Sequence, residues 1–118
     1  MKIILDTNFL MGISQFGVDI FSQLSGNDLF TIEPVIRELR SFETGDSKKA
    51  RAAKLALEIM KSKHLKVLKS KETSADKSLI TYSSKGYAIA TQDIELRKKV
   101  KEAGGQSIYI RQRKYVII

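Results

Sequence analysis

Ile3-Ile4-Leu5-Asp6-Thr7-Asn8 is an apolar run that stops abruptly on a carboxylate. Such a run, with no polar face, is the pattern of a strand buried on both sides of a parallel sheet. The same event recurs at Tyr87-Ala88-Ile89-Ala90-Thr91, with Asp93 following two residues later. Ligands of an open parallel sheet bind in the crevice beyond the carboxyl ends of the strands, so two acids leaving two such strands stand where chemistry is expected.

Working outward, strand and helix patterns alternate. Strand 1 spans Lys2 to Leu5. Phe9, Leu10 and Met11, then Ile20, Phe21 and Leu24, suit one or two short helices broken near Gly12 and Gly17 and stopped around Gly26-Asn27. Leu29 to Ile32 is strand 2. Pro34 takes the first position of a helix carrying Val35, Ile36 and Leu39 and ending near Ser41, and Phe42 to Ser47 reads as a loop. Lys48 to Lys63 sets Ala50, Ala53, Leu57 and Met60 against bases, the longest amphipathic helix. Leu65 to Leu68 is strand 3, less apolar and so near an edge. Ser74-Ala75-Asp76 opens a further helix, capped by Gly86; strand 4 follows, then a helix from Asp93 to Ala103 and a last strand at Ile108-Tyr109-Ile110. Each parallel connection needs a crossover that a helix supplies, so this order predicts a doubly wound α/β fold.

The 118 residues fit one domain over 1–118, with a globular composition of 42% hydrophobic and 29% charged residues. No stretch has the length of a membrane span and the chain starts directly on a strand, so a cytoplasmic protein is expected. Cys is absent and His64 is the single histidine, which excludes disulfides and thiolate sites and leaves any metal to oxygen ligands. His64 lies among Lys61, Lys63 and Lys66 and reads as a solvated loop residue. The formal charge of +8 points to a polyanion or to a merely well-solvated lysine-rich surface.

Four acids occupy the places where a site belongs in such a sheet: Asp6 after strand 1, Glu38 on the helix after strand 2, Asp76 in the first turn before strand 4, and Asp93 after strand 4. Singly, Asp93 reads as a helix cap and Asp76 as a complement to a helix dipole. Together in one crevice they would repel one another unless a cation neutralised them, and hard oxygen ligands favour Mg²⁺ or Mn²⁺. Metal ions held by carboxylates are a recurrent device for phosphodiester hydrolysis. With four of the 13 acids set aside, 21 bases face nine acids on the rest of the chain, a balance suited to a nucleic-acid backbone.

Leu5-Asp6-Thr7-Asn8, Ile36-Arg37-Glu38-Leu39, Ala75-Asp76, and Ala90-Thr91-Gln92-Asp93 with Leu96 resemble, in order and spacing, the four acidic motifs of the PIN domain. The resemblance covers essentially the whole chain. It implies a three-layer α/β sandwich around a five-stranded parallel sheet and a metal-dependent endoribonuclease acting on single-stranded or structured RNA. Asp6, Glu38, Asp76 and Asp93 would be the metal ligands and catalytic acids, with Asn8 and Thr91 in support and Glu95 where some members bring an additional acid. The stretch from Tyr87 to Ile110 looks like the branch that processes small-subunit ribosomal RNA in eukaryotes and its short archaeal relatives. The rival branch is the toxin half of toxin-antitoxin pairs, whose members often carry a second acid where this chain has Lys77. The implied partners are RNA, a second copy of the chain, and either a ribosome-assembly factor or an antitoxin. A PIN scaffold that binds RNA without cleaving it is a third reading, weighed down by the presence of all four acids. A phosphoacceptor receiver would need an aspartate after strand 3, where Lys69-Ser70-Lys71 stands, and a haloacid-dehalogenase-type phosphatase would need an acid at Asn8. Arg111, Arg113 and Lys114, beside Tyr109 and Tyr115, suit stacking and neutralisation of single-stranded RNA, or equally an ordinary sheet edge with solvated bases.

Overall fold

The computed structural model describes residues 1–16 and 19–118. The chain runs β1 (Lys2–Leu5), α1 (Thr7–Phe16), α2 (Ile20–Gln23), β2 (Asp28–Ile32), α3 (Glu33–Phe42), α4 (Lys48–Ser62), β3 (Lys66–Leu68), α5 (Ala75–Ser83), β4 (Ala88–Ala90), α6 (Ile94–Glu102), β5 (Ser107–Arg111) and β6 (Tyr115–Ile117). The sheet order is β3-β2-β1-β4-β5-β6, with β1 to β5 parallel and β6 antiparallel to β5. Helices α1, α3 and α4 pack together, α5 packs with α6, and the sheet lies between in a three-layer sandwich.

The apolar runs that announced the fold fill its centre. Ile3, Ile4 and Leu5 of β1 are wholly buried, as are Ile89 and Ala90 of β4 beside them, because both faces of these inner strands are covered by helices. Leu5 pairs with Ala90, and the Asp6 amide continues the ladder by donating to the Ala90 carbonyl at 2.9 Å. The chain winds from β1 outward through β2 to β3, then returns across β1 to β4. The carboxyl ends of β1 and β4 therefore form the switch point, where the loops diverge and leave a crevice. β3 is an edge strand, in line with its weaker apolar character. His64 is exposed in the turn before it. Among the described residues, no helix is long and apolar enough to cross a membrane.

Two expectations change. Gly12 does not break a helix: α1 continues through it, and a Cβ there would meet the Phe16 ring at 3.3 Å and Ile110 at 3.6 Å. The residue is small because α1 packs close to the sheet, and tertiary contact overrides its poor helix propensity. Gly17, the other expected break, lies outside the described residues. The second change is β6. The expected five parallel strands are present, but the chain turns back after β5 to add a sixth, antiparallel strand. The turn uses Gln112 (φ 53°) and Arg113 (φ 58°), with the Lys114 amide donating to the Arg111 carbonyl at 3.0 Å. Two left-handed residues that are neither Gly, Asn nor Asp carry no turn signal, which hid the hairpin in the sequence. Gln23 of α2 clasps the outer edge of β6: its Nε2 donates to the Lys114 carbonyl at 2.7 Å and its Oε1 accepts from the Val116 amide at 2.8 Å. That side chain satisfies edge groups that would otherwise need solvent or another strand.

Candidate active site at the switch point

Asp6 is the innermost acid, only 6% exposed, because it directly continues a buried strand. Its Oδ1 accepts from the Thr7 amide at 2.8 Å and its Oδ2 from the Thr91 hydroxyl at 2.8 Å. Burial pushes its carboxyl from 3.8 up to about 6; those two hydrogen bonds oppose the shift, and the charges of Asp76 and Glu38 add to it. That a buried carboxylate feels two others, from α5 and α3, is the electrostatic trace of convergence.

Asp93 caps α6, its Oδ1 accepting from the amides of Glu95 at 2.9 Å and Leu96 at 3.2 Å. Both bonds fall on one oxygen, so capping does not consume the whole carboxylate. Glu38 projects from α3 and Asp76 from the first turn of α5, which Ser74 caps. A cleft of about 280 Å³ is lined by Asp6, Glu38, Asp76 and Asp93, with Thr7, Asn8 and Lys49 as its other polar walls and Met11, Phe42 and Ala75 as apolar ones. The fold thus gathers four acids from four separate segments. Among the described residues, no group of three or more acidic or histidine side chains is drawn tightly enough to clasp an ion unaided. The acids face a shared space instead of touching. Their hard oxygen donors and the uncompensated charge around Asp6 fit a divalent cation such as Mg²⁺ or Mn²⁺.

Thr91 ties the site together. It is wholly buried; its hydroxyl donates to Asp6, has Asn8 Oδ1 within reach at 3.1 Å, and accepts from the Asp93 amide at 3.2 Å. Asn8 Oδ1 also accepts from the Gln92 amide at 2.9 Å. Gln92 in turn holds both main-chain groups of Ile110, accepting from its amide at 2.6 Å and donating to its carbonyl at 3.1 Å. The first and fourth acidic segments are therefore registered through a polar network that reaches β5.

The other residues singled out from sequence lie elsewhere. Glu95 is not part of the cleft wall, and its carboxylate stands 3.9 Å from Lys98 Nζ. Arg111, Arg113 and Lys114 are exposed on the β5–β6 hairpin, outside the cleft wall, with Arg113 5.6 Å from the Phe16 ring. Tyr109 is covered by the Arg97 guanidinium at 3.9 Å, whereas Tyr115 is 53% exposed. Sequence reasoning passed over Thr7, Gln92 and Lys49. Thr7 and Gln92 sit inside the quoted motifs beside the acids, but Lys49 is one lysine among many and had no sequence signal.

A family model described as a PIN like domain matches residues 3–113. The chain belongs to the PIN-like domain family. Ribonuclease VapC9 of Archaeoglobus fulgidus is 32% identical over 120 residues, covering 98% of this chain and 87% of that protein. Ribonuclease VapC4 of Methanocaldococcus jannaschii is 28% identical over 122 residues, covering 97% and 93%. The solved structure of the PIN domain endonuclease Utp24 superposes with a TM-score of 0.80 at 22% identity, over 98% of this chain and 88% of that one. At that identity the likeness carries the fold, and it is the PIN-domain sandwich that the sequence led one to expect.

Proposed function

We infer that this PIN-like domain is a metal-dependent endoribonuclease, working as one domain over residues 1–118 and hydrolysing phosphodiester bonds of single-stranded or structured RNA. The observation that carries the reading is the convergence of Asp6, Glu38, Asp76 and Asp93 on one cleft at the switch point. These four would hold Mg²⁺ or Mn²⁺, which when bound supplies activation of the attacking water and charge stabilisation at the phosphate. The chain's own work is positional. Thr91 holds Asp6 and the backbone of Asp93 in one arrangement, and Asn8 fixes the main chain of Gln92 between Thr91 and Asp93. The surface agrees with an RNA substrate: among the described residues the one ion pair is Lys98 with Glu95, so most of the 21 bases are not matched by protein carboxylates.

Two biological settings compete. The ribonuclease relatives favour the toxin half of a toxin-antitoxin pair, which would add an antitoxin protein as partner. Ribosomal-RNA processing, with assembly factors as partners, rests on the look of residues 87–110 and has the weaker support. In either setting the cytoplasm is the proposed place of action, and a homodimer or higher homo-oligomer is an expected form.

The test is cleavage of a single-stranded RNA with Mn²⁺ or Mg²⁺ against a chelator. Asp93→Asn keeps the cap on α6 but removes the charge, so cleavage should fall by orders of magnitude while the fold survives. Glu58→Gln, exposed on α4 away from the cleft, should cleave like the parent. Full activity in Asp93→Asn would sink the assignment.

A further inference from the structure

Lys49 is the one base among the residues that line the acid cleft, and it pairs directly with none of the acids. Among the described residues it enters no ion pair with any carboxylate; its ammonium instead sits 3.8 Å from the centre of the Phe42 ring, the apolar wall at the end of α3. Nor does it serve its own helix. Lys48 and Lys49 open α4 with no acid in the first turn, and cations at a helix N-terminus are unfavourable against the positive end of the helix dipole. The capping there is done by Ser47, whose hydroxyl accepts from the Ala50 amide at 3.0 Å. A cation resting on an aromatic ring at the wall of an acidic cleft, paired with none of the acids and set against helix preference, is placed to meet an incoming anion.

We propose that Lys49 is a substrate-binding residue of the active site, its ammonium meeting a non-bridging oxygen of the RNA phosphate presented to the four acids; this rests on the ribonuclease reading above. A phosphodiester brings one more negative charge into a cleft already walled by four carboxylates, and a bound divalent ion would leave acids in excess. A lysine is suited to this contact because its compact charge on a flexible stem can meet a phosphate without a fixed bidentate geometry. Phe42 holds the ammonium off the carboxylates through its ring face, which keeps it available. A second feature of the same cleft points to a polar ligand. Thr7 Oγ1 is the one buried side-chain polar atom without a partner among the described residues, and Thr7 lines the cleft beside Asp6. As the first residue of α1 it follows a strand, so the carbonyl four residues back is not placed to receive it as it would be inside a helix. No bond to Lys49 forms or breaks in this role.

The experiment compares parent, Lys49→Ala, Lys49→Arg, Phe42→Leu, Asp93→Asn and the surface control Lys101→Ala in cleavage of a short single-stranded RNA, with the Mn²⁺-induced rise in melting temperature measured alongside. Lys49→Ala should lose roughly tenfold to a hundredfold in kcat/KM. Lys49→Arg should recover most of that loss, Phe42→Leu should fall by several-fold, and Lys101→Ala should match the parent. The Mn²⁺-induced rise should persist in Lys49→Ala, because the acids that hold metal are intact. If Lys49→Ala cleaves like the parent while Asp93→Asn does not, the role of Lys49 is overturned and the nuclease reading stands. If saturating Mn²⁺ restores Lys49→Ala to parental rates, Lys49 is a counter-ion of the acids and the proposal fails. If the parent itself cleaves no RNA with any divalent ion, the nuclease reading fails and takes this inference with it.

Discussion

The switch-point cleft and the β5–β6 hairpin both drew attention in the sequence, one for its acids and the other for Arg111, Arg113 and Lys114, yet the fold treats them in opposite ways. In the cleft, Asp6 and Thr91 are buried, and Thr91 is bonded to groups on two segments. On the hairpin the three bases are exposed, and the segment is held by main-chain pairing between β5 and β6 and by the side chain of Gln23 on main-chain groups, not by the bases. Burial converts residue identity into geometry, because a desolvated polar group must find its partners. An exposed basic side chain keeps its freedom and contributes charge more than shape. The cleft should therefore respond to substitution in an all-or-none manner, and the hairpin by degrees.

The sharpest way to break this contrast is Thr91→Val. It leaves Asp6 Oδ2 and the Asp93 amide without their shared partner, so cleavage of RNA should drop about a hundredfold or more, with a stability loss of ~1–3 kcal/mol in urea unfolding. Near-parental cleavage would show that the acids need no internal brace.

Next in size is the pH dependence of the metal-free protein. Because Asp6 is raised to about 6 in the fold, the folded state favours its protonated form. That contribution is fully present below the unfolded value near 4 and is lost as pH rises through about 6. It corresponds to ~3 kcal/mol over that interval. Asp6→Asn should flatten this slope, raise the metal-free melting temperature at neutral pH, and, combined with Asp93→Asn, abolish the stabilisation by millimolar Mn²⁺. A metal-free protein as stable at pH 7.5 as at pH 4.5 would contradict the buried-carboxylate account.

On the hairpin side, replacing Arg111, Arg113 and Lys114 together with Ala should weaken single-stranded RNA binding uniformly and make its salt dependence shallower, by about 0.7 in log–log slope for each phosphate that is no longer neutralised. Retained salt dependence would move the RNA path to another face. The smallest effect is Gln23→Ala, which frees the outer edge of β6 and should cost about 1 kcal/mol with cleavage unchanged. A large loss of activity there would mean that hairpin and cleft are coupled, and the contrast drawn between them would fail.

How much of this was legible in the chain follows from the range of the signals. The apolar runs at 3–5 and 88–90 mark inner strands because a strand covered on both faces must be apolar at every position. The acids at their ends were visible because the break from aliphatic to carboxylate is abrupt. Asp93 shows how a local reading and a site reading can both hold, since one carboxylate oxygen caps α6 while the residue also lines the cleft. Gly12 misled because helix propensity is a weak local preference, and the demand for space against Ile110 is not local. β6 stayed hidden because its turn places ordinary residues in a left-handed conformation held by longer-range interactions, among them those of Gln23.

By itself the sequence determined the alternation of strands and helices, the identity of the inner strands and the four acids, since each depends on residues a few positions apart. Only the tertiary structure decided that Thr91 would join Asp6 to the Asp93 segment, that Lys49 rather than the hairpin bases would stand at the wall of the cleft, and that Gln23 would close the sheet edge. Thr91 lies 85 positions from Asp6 and Gln23 lies 93 from Val116. Interactions at such separations leave no periodic trace in the chain, because they arise when the packing of the whole sheet brings distant segments into register.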